Sequence, residues 1–180
     1  MLDENQVSKS SPAELRLHEA VFFYNRFRDA CGPPRDSYFE MISFFDAFLF
    51  ALTSIEEMLS PTDKSKLHAT DVFMFLRAAR NVTTHHSVLA APNQPGGFAR
   101  PFSRNIQDVA GVGSAKLRIN VAEFKRVFHI AATNFPPAAR GFQAGITYLS
   151  KKTTAQIDLV DEMKNGMLVV KKIICSNVVI

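Results

Sequence analysis

The sequence predicts an all-α fold: an antiparallel helical bundle with one irregular Gly/Pro-rich insertion. Three observations predict it. Apolar residues recur at helical spacing over long stretches, helix start and stop signals bracket those stretches, and the main breakers collect in one segment. Residues 92–119 hold four of the eight glycines and three of the nine prolines. With 180 residues, 47% of them hydrophobic, the chain is long and apolar enough for a single domain with its own core over 1–180. The same composition excludes disorder. Two cysteines, Cys31 and Cys175, exclude a disulfide scaffold and read as reduced, small hydrophobic residues.

Residues 1–10 read as a flexible polar tail, and their polarity predicts no secretory leader. Ser11-Pro12-Ala13-Glu14 opens the first helix, with Ser11 as cap, Pro12 at the first helical position and Glu14 closing a capping box. That helix is expected to stop near Ala30, before Cys31-Gly32-Pro33-Pro34. A second helix is expected from about 36 to 59. On a helical wheel Phe44, Phe45, Phe48, Leu49, Leu52 and Ile55 share a broad arc, while Ser43, Asp46, Ser54 and Glu57 lie opposite, with Phe50 among them. The most apolar run, 47–55, lies between Asp46 and Glu56 and is too short to span a bilayer. A soluble, cytoplasmic protein with no membrane contact is the expectation.

A third helix is expected from about 62 to 91, ended by Pro92-Asn93-Gln94-Pro95-Gly96-Gly97. In the insertion 92–119, residues 116–119 have the character of one strand of a short hairpin. Asn120-Val121-Ala122-Glu123 resembles a capping box and opens a helix ending near Asn134-Phe135-Pro136-Pro137. A last long helix is expected over 138–165, with Gly166 as its stop. The β-branched tail 167–180 suits either a strand or a helical extension.

No phosphate loop, zinc-spaced Cys/His cluster or nucleophile elbow occurs. Gly111-Val112-Gly113 lacks the strand–turn–helix context of a nucleotide site. The sequence therefore implies no metal and no cofactor. Chemistry concentrates instead in Phe75-Leu76-Arg77-Ala78-Ala79-Arg80-Asn81-Val82-Thr83-Thr84-His85-His86. On a helix, Arg77, Arg80, Asn81, Thr84 and His85 share one side; Phe75, Leu76, Ala79, Val82 and Leu89 share the core side. His86 falls toward the core arc, where a hydrogen-bonded histidine is expected. His18, His68 and His129 read as surface or packing residues, and Asp46 and Glu57 are carboxylates that can orient His85 or Arg80. Arginine supplies a permanent charge and a planar donor fork suited to phosphate. Histidine exchanges protons near neutral pH.

Within this segment Arg80-Asn81-x-x-x-His85 resembles the signature of the HEPN superfamily, whose members are helical bundles carrying Arg, a polar residue, then His. The resemblance covers six residues closely and the order of the first three helices loosely. It implies a metal-independent endoribonuclease with Arg80, Asn81 and His85 as catalytic residues and a homodimer with a composite cleft. It also implies attack by an RNA 2′-hydroxyl leaving a 2′,3′-cyclic end, in a toxin or phage-defence setting with an antitoxin partner. Geometry agrees that one chain is not enough: positions 80 and 85 of a helix are about 140° and about 7.5 Å apart. The long insertion departs from a minimal bundle of this kind.

The charge distribution suits either a basic face that meets a polyanion or charge complementarity between packed helices. Residues 1–60 carry ten acids and five bases; residues 61–180 carry seven acids and sixteen bases. Eight bases and two acids lie between Arg77 and Arg126. Arg77, Thr84, Arg100 and Arg104 are the candidate substrate-binding residues; Phe98 and Phe102, interleaved with the last two, read either as in segments that hold phosphates and stack bases or as an apolar pair anchoring the long loop to the bundle. Lys116, Arg118, Lys125 and Arg126 extend the basic stretch. Two other readings remain open: a non-catalytic helical module that binds protein or RNA, and a bundle whose sixteen Phe residues line a small-molecule cavity.

Overall fold

A computed structural model describes residues 10–31, 38–86 and 118–176. They form seven α-helices, two short 3-10 turns and one two-stranded ribbon: α1 Pro12–Ala30, α2 Tyr38–Ser54, α3 Pro61–His68, α4 Asp71–His86, β1 Arg118–Asn120, α5 Val121–Asn134, α6 Ala139–Ser150, β2 Gln156–Asp158 and α7 Leu159–Cys175. Residues 1–9 of the expected tail 1–10, most of the insertion and residues 177–180 lie outside the described residues. No described helix is long and apolar enough to cross a membrane.

The start signals read from sequence act as expected. The Ser11 hydroxyl accepts from Glu14 N–H at 3.3 Å, and Ser11 N–H donates to the Glu14 carboxylate at 2.6 Å, so two orphan donors of α1 are satisfied. The Asn120 side chain accepts from Glu123 N–H at 3.1 Å at the start of α5.

The expected third helix is two helices. Ser60 caps α3 and bonds Asp63, and Pro61 fits the first turn. At its other end Thr70 donates its hydroxyl to Leu67 C=O at 2.6 Å, while its own C=O accepts from Met74 N–H at 3.1 Å. One residue thus closes α3 and opens α4. This local side-chain bond competes with helix continuation.

The expected last helix also divides. After Ser150 the chain turns, adds β2, and restarts at Asp158, whose side chain accepts from Val160 N–H at 3.0 Å. Strand β1 is present where a strand was expected, but its partner is this distant segment and not a hairpin neighbour. The ribbon is antiparallel, with Arg118 opposite Asp158, Ile119 opposite Ile157 and Asn120 opposite Gln156. Gly166 ends nothing. It is buried inside α7, which continues through 167–175 as a helical extension.

One apolar cluster draws on all seven α-helices and both strands. Phe27 against Phe45, and Arg16 against Phe50, run α1 antiparallel to α2. Phe75 stacks on Tyr148 at 5.0 Å, and Lys151 pairs with Asp71, so α4 and α6 are antiparallel as well. Phe128 packs edge-on against Phe75 and Phe124. Cys31 is buried as expected, whereas Cys175 is exposed at the end of α7, although Ile173 and Ile174 of the same turn are buried in the core.

A buried polar network stands beside this core. Glu162 accepts from the Tyr148 hydroxyl and, at 2.7 Å, from Lys152 Nζ, which also lies 4.3 Å from the Tyr148 ring centroid. Burial first, then the bond to Glu162, raises the Tyr148 pKa above its usual value. The network fastens the 151–155 turn to α7.

Candidate functional site

The polar faces of α2 and α4 meet at an open cleft of about 90 Å³ lined by Phe50, Thr53, Ser54, Glu56, Glu57, Arg77, Arg80 and Asn81. Helix periodicity explains the lining. Phe75, Leu76, Ala78, Ala79 and Val82 of α4 are buried, which turns Arg77, Arg80 and Asn81 to the other side. On α2, Phe48, Leu49, Leu52 and Ile55 are buried, leaving Phe50 and Ser54 toward the cleft. Thr53 and Ser54 donate to Leu49 C=O at 2.8 Å and Ala51 C=O at 3.0 Å. Such back-bonding bends a helix end, and here α2 passes into the 3-10 turn Ile55–Met58 that delivers Glu56 and Glu57.

Glu56 is the centre of the floor. Its side chain is 12% exposed and takes Arg77 Nε at 3.1 Å and His68 Nε2 at 2.8 Å. The contacts to Arg77 run through Nε, which leaves the Nη donors out of this pair. The His68 ring in turn lies nearly parallel to Phe73, with centroids 6.3 Å apart. Above this floor, the guanidinium carbons of Arg80 and Arg16 each lie 5.8 Å from the centroid of the Phe50 ring. The cleft itself thus carries two guanidinium groups and two carboxylates, and Arg77 is paired with Glu56.

The volume is polar and open, far below the roughly 300 Å³ at which drug-sized ligands begin to be enclosed. It suits a phosphate-sized group with the remainder of a ligand outside. No group of three or more potential metal ligands occurs among the described residues.

No protein-family model, curated protein or solved structure matches this chain. The assignment of function therefore rests on the residues alone.

Of the sequence candidates, Arg77, Arg80 and Asn81 are brought together. Thr84 and His85 belong to the last turn of α4 by their backbone; their side chains, and that of His86, lie outside the described residues. Arg100, Arg104, Phe98, Phe102, Lys116 and Leu89 lie outside them entirely. Glu57 is exposed on the cleft wall. Asp46 is not part of the lining: one of its oxygens, Oδ1, is buried without a hydrogen-bond partner, and desolvation pushes its pKa up to about 6. Arg126 pairs with Glu123 along α5. His18 and His129 are exposed, while His68, read as surface or packing, joins the cleft network.

Sequence reasoning missed Glu56 in the cleft floor. The residue sits beside an apolar run and repeats no motif. Its partners are 12 and 21 positions away, so only the fold reveals the link.

Proposed function

We propose that this chain is a metal-independent endoribonuclease of HEPN type that acts as a homodimer. The observation that carries the reading is the cleft: Arg77, Arg80 and Asn81, three members of the motif face, line one open concavity. Arg80 stabilises charge on the scissile phosphate, Asn81 offers amide donors, and His85 moves protons. The 2′-hydroxyl oxygen attacks the adjacent phosphorus and loses its proton; the departing 5′-oxygen gains one, leaving a 2′,3′-cyclic phosphate. A second copy across a two-fold axis brings the partner groups into reach, since positions 80 and 85 diverge on one helix. A toxin or phage-defence role, held in check by an antitoxin, follows from the same resemblance.

Cleavage of RNA by the purified dimer is expected to persist in chelator. His85→Ala is expected to lower the rate by about 10²-fold or more with the helical spectrum unchanged. A folded wild-type dimer, free of copurifying inhibitor, that leaves every RNA intact sinks the reading.

Glu56 and Glu57 favour a second reading, a non-catalytic helical module binding RNA or protein. Carboxylates among the guanidinium groups reduce the positive potential available to a reacting phosphate. That module gives salt-sensitive binding without product.

A further inference from the structure

Phe50 breaks the pattern of its own helix. Its neighbours Phe48, Leu49, Ala51 and Leu52 are fully buried, yet Phe50 is 50% exposed at the mouth of the cleft. An exposed phenyl ring gains nothing from the core, and a single one is ordinary on a protein surface. This one is flanked by two guanidinium groups from two other helices, Arg16 of α1 and Arg80 of α4, each 5.8 Å from its centroid. Both cations lie over the ring at cation–π distance, yet Phe50 stays half exposed, so a flat partner stacks there by taking the place of one guanidinium group. Arg16 also pairs with Glu19 in a part-exposed ion pair, the class of interaction that contributes least.

We propose that Phe50 is a base-stacking platform, on which an unpaired nucleobase of single-stranded RNA lies while its phosphate enters the cleft between Arg77 and Arg80. The inference rests on the RNA reading of the cleft and adds the part of the ligand that its polar lining does not recognise. Apart from Phe50 the cleft is lined by polar and charged side chains, which suit a phosphate and offer a base no apolar surface to lie on. Phe50 is the apolar surface at its mouth. Stacking of this kind tolerates any base, because each has a π-face, and it excludes duplex RNA, whose bases are already stacked. The occupant is therefore a single-stranded segment, a loop or an end.

The chain contains no Trp, so Phe50→Trp creates a single fluorescent reporter at the platform. In a His85→Ala background, which keeps RNA intact, oligoadenylate is expected to quench that reporter, and inorganic polyphosphate is expected to bind without quenching. Phe22→Trp, exposed on α1 and outside the cleft lining, is expected to stay bright with both. Phe50→Ala is expected to weaken oligoadenylate binding roughly tenfold, a stacking-sized loss, and to leave polyphosphate binding unchanged. Tight oligoadenylate binding that fails to quench the Phe50→Trp protein, or that has equal affinity for Phe50→Ala, overturns the platform and leaves the RNA reading standing. A reporter that responds to protein concentration but not to oligoadenylate assigns Phe50 to contact between copies and also overturns it. If wild-type protein binds no oligonucleotide at low salt, the RNA reading fails and the platform fails with it.

Discussion

A carboxyl in water ionises near pH 4, but in α2 the Asp46 Oδ1 is buried without a hydrogen-bond partner and the group's pKa is pushed up to about 6 by loss of water. The sign of the consequence follows. The folded value lies above the unfolded one, so the fold favours the protonated acid. That contribution is fully present below pH of about 3.8 and is lost as pH rises through about 6. At neutral pH the wild-type chain carries the cost of a partly dehydrated charge. Asp46→Asn keeps the shape and removes the charge. It is expected to stabilise the protein by on the order of 1 kcal/mol near pH 7, allowing for solvent screening, and by almost nothing near pH 4. Urea denaturation at the two pH values measures this; an equal gain at both contradicts it. In the sequence the same residue reads as a carboxylate able to orient His85 or Arg80. Wheel position places it on the polar arc, but it cannot tell a solvated carboxylate from one partly dehydrated beside the core.

At the scale of elements, close packing of α4, α5 and α6 rests on one missing side chain. A Cβ on Gly145 would lie 2.6 Å from Phe128 Cε2 and 2.9 Å from Ala78 Cβ. Phe128 has little room to yield, being in ring contact with Phe75, Phe124 and Phe142. Helix propensity alone predicts that Gly145→Ala stabilises by roughly 0.5–1 kcal/mol. Overpacking predicts a net loss of about 1–3 kcal/mol, or several degrees in Tm, and the clash decides the sign. Thermal denaturation of the single variant checks it, and a raised Tm refutes the packing argument. Gly166 belongs to the same class, because its Cβ would fall on Leu76 Cδ1 and come within 3.3 Å of Leu52 Cδ2. This is why the sequence misleads at that position. Glycine near the end of an amphipathic stretch reads as a stop, but here it permits α7 to approach α2 and α4. Caps are legible because they are local: Ser11 with Glu14, and Asn120 with Glu123, lie three residues apart. The division at Thr70 depends on one hydroxyl choosing Leu67 C=O, and the β1–β2 ribbon depends on pairing across about forty residues of chain. Neither leaves a periodic trace.

At the scale of the whole molecule, the charge asymmetry becomes a measurable salt dependence. Each phosphate neutralised on a single strand contributes about −0.7 to the slope of log affinity against log salt. If Arg77, Arg80, Arg100 and Arg104 each neutralise one, the slope is about −2.8, and affinity for oligoadenylate falls roughly fifty-fold between about 50 and about 200 mM salt. Among the described residues the cleft supplies Arg77 and Arg80 to that sum. Arg100 and Arg104 belong to the basic stretch that follows the motif in sequence. Replacing both by Gln is therefore expected to reduce the slope to about −1.4, so that the same change in salt costs roughly sevenfold. Titration of the His85→Ala protein at several salt concentrations reads the slope directly, without interference from cleavage. An unchanged slope in the double variant removes Arg100 and Arg104 from the binding surface. A halved slope means that the positive balance of the chain, which formal net charge of +4 conceals, acts on the nucleic acid as one extended field.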